Sequence, residues 1–251
     1  MPRAPHTGSP VRWHSALTIL AASIGTGVFG QLGVTTFGIQ VKPVIPLEIF
    51  DPVTTVERPA LFGQMELVGG FAFGMSVRVG LTNAVSLETG IGQIKRRYDY
   101  SLSNDTSGYA GSGSIRYVGY EIPVTGLVYI RLGERTWMNS ALGFSLDMYP
   151  SDVQNNVEQA DVYMFRQNWA QIGILGNMGV EYRTEKSGTL YLGATFHRPF
   201  NDMATVDMTY VDEQTLFPYR MRTVLDGSYL TADLRYYFHE DPDRTRVRRK
   251  N

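Results

Sequence analysis

From Gln64 to Val79 the chain alternates by parity. Met65, Leu67, Phe71, Phe73, Met75, Val77 and Val79 are apolar, and their even neighbours are Gln64, Glu66, Val68, Gly70, Ala72, Gly74, Ser76 and Arg78. Side chains on a strand point to opposite faces in turn, so such a run puts one face in an apolar medium and the other in a polar one. An ordinary strand has about 5–6 residues. This run is well over twice that, enough for a tilted strand to cross a bilayer. Few folds other than a membrane barrel use strands of that length and polarity.

The same text recurs seven times. Phe37, Ile39 and Val41 alternate with Gly38, Gln40 and Lys42, and Val85, Leu87 and Ile91 with Ser86, Glu88 and Gly90. Val118 to Arg131, Met138 to Met148, Gln171 to Arg183, Leu190 to His197 and Leu230 to Phe238 continue the series. The phase breaks near Ile94, which predicts either a β-bulge or a rim transition. Connections also alternate. Gly80 to Asn83, Gly133 to Thr136 and Thr184 to Gly188 are short, whereas 46–63, 99–115, 150–167 and 200–227 are long, polar and acidic. Long loops on one side and tight turns on the other are the wiring of an outer-membrane barrel. The expected fold is all-β, an eight-stranded antiparallel up-and-down transmembrane β-barrel over residues 31–238, with both termini in the periplasm. Tyr98, Tyr100, Tyr117, Tyr120, Trp137, Tyr149, Trp169, Tyr182, Phe196 and Tyr236 to Phe238 lie near strand ends, where interfacial girdles would place them.

Composition narrows the alternatives. Net charge is -1, so no basic field exists to attract nucleic acid. Cysteine is absent, which excludes disulfides, thiolate metal sites and cysteine catalysis. Arg3 and Arg12, the apolar run 16–24 and the small-residue segment ending at Gly30 read as a secretory signal over residues 1–30. At the other end, 239–251 is a polar tail carrying Arg244, Arg246, Arg248, Arg249 and Lys250, suited to an acidic partner or to headgroups.

Taking the polar parity as inward, the lumen receives Glu66, Glu88, Glu121, Asp147, Glu181 and Asp233 with Lys42, Arg78, Arg131, Arg183 and Arg235. A barrel of eight strands is only wide enough for side chains to fill it. Trapped charges must pair or cost several kcal/mol each. These residues therefore read as a structural ion-pair core. A narrow gated path is the alternative, and a soluble lipocalin-like carrier a more distant one. Catalysis lacks a constellation: His197 has no serine beside it on its own strand, and no cofactor or metal ligand set with a fixed spacing appears. The fourth long connection holds Met203, Met208, Tyr210, Val211, Leu216, Phe217, Pro218, Tyr219 and Met221, apolar for a segment facing water. It reads either as a partner surface, with Tyr210, Phe217 and Tyr219 as contacts, or as a lid over the mouth.

Gly119-Tyr-Glu-Ile-Pro123, Leu127-Val-Tyr-Ile130 and Ala141-Leu-Gly-Phe-Ser-Leu146 resemble the PorT-like outer-membrane β-barrel family of Bacteroidota, as does the opening Phe37 to Pro46. The chain departs from that pattern in lacking a basic residue between Gly126 and Tyr129, in having Leu142-Gly143, and in its basic tail. The resemblance implies an outer-membrane location; the family's founding member is linked to type IX secretion while most relatives have no assigned activity, and the expected role is a subunit of a cell-envelope or secretion assembly. The expected function is non-enzymatic, with outer-membrane lipid and envelope proteins as partners.

Overall fold

A computed structural model describes residues 34–46, 53–82 and 84–239. The secretory segment and the basic residues Arg244 to Lys250 lie outside them. The described residues form thirteen strands: β1 (Thr35–Ile45), β2 (Val53–Arg58), β3 (Leu61–Gly80), β4 (Val85–Asn104), β5 (Tyr109–Arg131), β6 (Thr136–Met148), β7 (Val153–Val157), β8 (Ala160–Arg166), β9 (Ala170–Arg183), β10 (Thr189–Pro199), β11 (Ala204–Val211), β12 (Pro218–Leu225) and β13 (Tyr229–Tyr237).

Eight of them close a barrel. The hydrogen-bonded order β1-β13-β10-β9-β6-β5-β4-β3 returns on itself through β1–β3, in which Thr35 faces Val79 and Val44 faces Gly70. Every barrel pairing is antiparallel, and closure leaves the eight-stranded ring itself without a free edge. The eight alternating segments of the sequence are these strands. Three short turns join β3–β4, β5–β6 and β9–β10 at one end of the barrel, where β1 begins and β13 ends. Around the middle, the outward residues are large, apolar and uncovered, among them Phe73, Met75, Val128, Leu142, Phe144, Met178 and Leu192.

At the other end the expectation of long polar loops is overturned. Among the described residues, all four connections carry strands. β2 extends the sheet beyond β3, the β4–β5 hairpin runs on past the belt, and β12-β11-β8-β7 form a separate four-stranded sheet. The two sheets face each other as a sandwich over an apolar core: Leu61, Met65, Tyr98, Leu102, Ile115 and Tyr117 on one side, Val162, Met164, Val206, Met208, Tyr210 and Met221 on the other. Each such side chain contributes about 1.5–3 kcal/mol by leaving water. Their polar outward neighbours made these segments read as loops. Tyr98, Tyr100, Tyr117 and Tyr149 are therefore core residues and not girdle residues, whereas Trp169, Tyr182 and Phe238 do stand exposed.

A β-bulge in β3 joins the two regions. Leu67 faces Tyr98, Gly69 faces Arg97, and Val68 between them has no partner on β4. Gly69 takes φ 144°, a conformation open to glycine. The extra residue flips the strand, so Met65 and Leu67 point into the sandwich while Phe71 and Phe73 point outward. Glu66 is consequently on the outer face of the sandwich, flanked by Val53 and Asp99, and not in the lumen. No register shift accompanies the phase break of β4 near Ile94: that strand crosses the rim with its even residues inward throughout.

Candidate functional site

The barrel interior holds two polar clusters, one above the other. The cluster nearer the short turns is an ion-pair network. Arg78 on β3 donates to Glu88 Oε2 on β4 at 2.9 Å and to Glu181 Oε1 on β9 at 2.5 Å. Arg235 on β13 donates to Glu88 Oε1 at 2.7 Å and also contacts Asp233. Neutral donors complete the carboxylates. Tyr237 donates to Glu88 at 2.7 Å, Asn139 to Glu181 at 2.6 Å, and Thr195 and Thr231 to Asp233 at 2.5 and 2.6 Å. All the charged groups named here are buried. Charge-assisted contacts of this kind are what allow ions to sit away from water.

The remaining lumen candidates divide. Lys42 is buried and lines a small lumen cavity with Gln40, Gln93 and Glu121. Arg183 is partly buried, 3.3 Å from Glu181, with its guanidinium over the Tyr129 and Trp137 rings. Arg131 reaches only the rim, where it is exposed and donates to Gly133 O at 2.9 Å.

The second cluster lies beneath the sandwich core. Glu121 on β5 and Asp147 on β6 are register partners, and His197 on β10 reaches across β9 to them. His197 Nε2 lies 3.0 Å from Asp147 Oδ2 and 2.9 Å from Ser145 Oγ. Gly173 on the intervening strand makes this possible, since a Cβ there would stand 2.8 Å from that nitrogen. Tyr229 stacks on the imidazole at 4.6 Å between centroids, and its hydroxyl donates to Glu121. Above it Arg96, also buried, donates to Gly227 O at 2.9 Å and lies over the Tyr229 ring. Ser145, Arg96, Gly173 and Tyr229 were not among the sequence candidates. Strand parity marks a residue as inward but not which inward residue of another strand it will meet.

Serine, histidine and aspartate together invite a comparison with a nucleophilic triad. In such a triad, serine and aspartate engage opposite imidazole nitrogens. Here both engage Nε2 while Nδ1 has no hydrogen-bond partner, and His197 is wholly buried. The arrangement is therefore not that of a nucleophilic triad.

The distal connection resolves into two parts. Tyr210 is buried, stacked on Tyr109 at 4.5 Å and donating to Ser107 at 2.8 Å, so it is not a surface contact. Met203, Met208 and Met221 are core as well, Met203 meeting Arg96 through its sulfur. Leu216 and Phe217 are 74% and 59% exposed at the β11–β12 tip, with Tyr219 beside them. Next to them a groove of about 280 Å³ runs between Arg58, Pro59 and Leu61 on one side and Phe217, Pro218, Tyr219 and Arg220 on the other. Asp152, Asp161 and Asp212 accept local hydrogen bonds from their own hairpins.

A closed eight-stranded barrel with an apolar girth and a polar interior defines the class: a transmembrane β-barrel. Among solved structures, the chain shares the fold of the outer membrane protein OprG from Pseudomonas aeruginosa, with TM-score 0.51 and 9% identity over 85% of this chain and 100% of that one. The outer membrane protease OmpT from Escherichia coli is matched at TM-score 0.39 and 12% identity, over 81% of this chain and 96% of that one. No family model matches the chain. No curated protein matches it either.

Proposed function

We propose that the chain is a non-enzymatic integral protein of the bacterial outer membrane that serves as an interaction subunit of the cell envelope. The shared fold with an outer membrane protein and the uncovered apolar girth support the location. Barrels of this wiring keep short turns in the periplasm and long connections outside, which supports a sandwich facing outward and a periplasmic start of β1 and end of β13. The Arg78–Glu88–Arg235–Asp233 network acts as a plug, because opening it would strand buried charges. One observation carries the interaction reading: Leu216, Phe217 and Tyr219 are held out on a folded sandwich, flanked by Arg58 and Arg220. Aromatic and arginine side chains are those most enriched where partners bind. The basic residues Arg244 to Lys250 supply a second contact on the periplasmic side. A secretion assembly, of type IX, is the partner class that the resemblance to the PorT-like family implies.

Affinity purification of the tagged full chain from detergent-solubilised membranes of its host tests this. Stoichiometric envelope proteins are expected with the native chain, and their loss with L216S/F217S/Y219S or on removal of 240–251. A monomer purifying alone would overturn the subunit reading. Steady conductance in planar bilayers would overturn the plug.

A further inference from the structure

The lumen contains five buried carboxylates, and they are not treated alike. Glu88, Glu181 and Asp233 each contact at least one arginine. Glu121 and Asp147 have no arginine or lysine in ion-pair contact among the described residues. Glu121 receives only the Tyr229 hydroxyl, and Asp147 only His197. Arg96, above them, directs its hydrogen bonds to Gly227 and Met203 instead.

Ligand atoms from Glu121, Asp147 and His197 lie within 4.8 Å of one another. Asp147 and His197 are 3% and 0% exposed, and Asp147 Oδ2 carries no hydrogen bond although it faces the imidazole. Gln171, inward and in register with Asp147, adds a buried amide oxygen without a partner. Two carboxylates crowded together away from water repel, and a cation between them removes that cost. We propose that Glu121, Asp147 and His197 form a binding site for a first-row divalent transition metal such as Zn²⁺. Two carboxylate oxygens and one imidazole nitrogen are a donor set for such ions; calcium and magnesium prefer oxygen alone. Part of a supporting shell surrounds these ligands, although Nδ1 of the imidazole has no partner among the described residues. Tyr229 fixes the imidazole by stacking and Glu121 by a hydrogen bond, and Gly173 clears the space in front of Nε2. The metal would tie β5, β6 and β10 together under the sandwich floor.

Co²⁺ is the probe, because its visible d–d bands report the ligand set. The full chain is refolded from urea into detergent micelles with Co²⁺ present, then dialysed without chelator. The expected result is about one Co²⁺ per chain with d–d absorption, displaced by Zn²⁺, and a melting temperature higher than that of protein refolded with EDTA. The near-isosteric D147N/H197Q variant should bind none yet still show the heat-modifiable gel shift of a folded barrel. Y229F should bind about 10–100-fold more weakly. Wild-type protein that retains no more Co²⁺ than D147N/H197Q, or melts alike with and without metal, would overturn the site and leave a hydrogen-bonded Asp–His–Ser cluster. Should D147N/H197Q fail to fold, the Y229F affinity and the wild-type spectrum decide the question alone.

Discussion

Three strands, β3, β4 and β5, run through both halves of this molecule, yet the halves are inside out relative to each other. In the barrel, Ser86 and Glu88 of β4 point in and Leu87 and Ile91 point out. In the sandwich, Tyr98, Tyr100 and Leu102 of the same strand point in, and Arg97 and Ser101 point out. The medium outside decides which face is apolar. Lipid makes the exterior dry and gathers polar groups inside, whereas water outside reverses the preference. β4 and β5 cross the boundary by changing chemistry at constant parity, from Glu88 to Tyr98 and from Ile115 to Glu121. β3 solves the same problem the other way: its odd residues stay apolar, and the bulge changes the parity.

Removing the unpaired Val68 breaks the comparison most severely. Whichever half keeps its pairing, the other turns over: Arg78 would face outward at the girth, or Met65 and Leu67 would leave the sandwich. No heat-modifiable barrel is expected after refolding into micelles. A deletion variant that folds as well as the parent would show that the bulge is not the hinge between the halves.

Next in size is Arg78→Leu. It leaves Glu88 with Arg235 and the Tyr237 hydroxyl, and Glu181 with Asn139 and the partly buried Arg183. Stripping one partner from a buried pair costs about 3–5 kcal/mol. Urea unfolding in micelles should lose stability on that scale. A leucine at an inward position of the sandwich, Ile115→Leu, should cost less than about 1.5 kcal/mol. Equal losses would mean that the two interiors do not differ as described.

The barrel was legible in the sequence and the sandwich was not, for one physical reason. Alternation in the barrel stands out because it is sustained for membrane-crossing lengths, whereas an ordinary strand has about 5–6 residues. The sandwich strands carry the ordinary pattern, with Asp161, Tyr163, Asp207 and Thr209 outward, and so resemble polar loops. Glu66 was misplaced because parity was carried through a bulge that only the pairing with β4 reveals. The charged lumen residues could be read from parity. The meeting of Ser145, Asp147 and His197 could not, since it depends on the register of β6, β9 and β10 and on the missing side chain of Gly173.

Outward substitutions sharpen the contrast further. Leu142 is 66% exposed midway along β6, and Leu142→Arg should cost about 2–4 kcal/mol in a bilayer. Ser112→Arg, outward and exposed on the sandwich portion of β5, should stay within about 0.5 kcal/mol. Unfolding from lipid vesicles separates the two. A tolerated arginine at Leu142 would take the apolar girth out of the membrane.

The smallest effect concerns the β11–β12 tip alone. Asp212 Oδ1 accepts the backbone N–H groups of Gln214 and Thr215 at 3.0 and 2.8 Å and the Thr215 hydroxyl at 2.9 Å. These donors, the Thr215 N–H first, hold its carboxyl below the ordinary carboxylate value. A carboxyl depressed in the folded chain stabilises the turn above its unfolded value of about 3.9, and the contribution disappears as pH falls through the lower folded value. The tip should therefore keep its order at neutral pH and loosen only in strong acid, while the barrel amides stay protected. Carbon-detected NMR of Asp212 should place its midpoint below that of a denatured control. Asp212→Ala should speed amide exchange at Thr215 and leave global unfolding unchanged. A midpoint equal to the control would mean that the carboxyl does not hold the turn presenting Leu216 and Phe217.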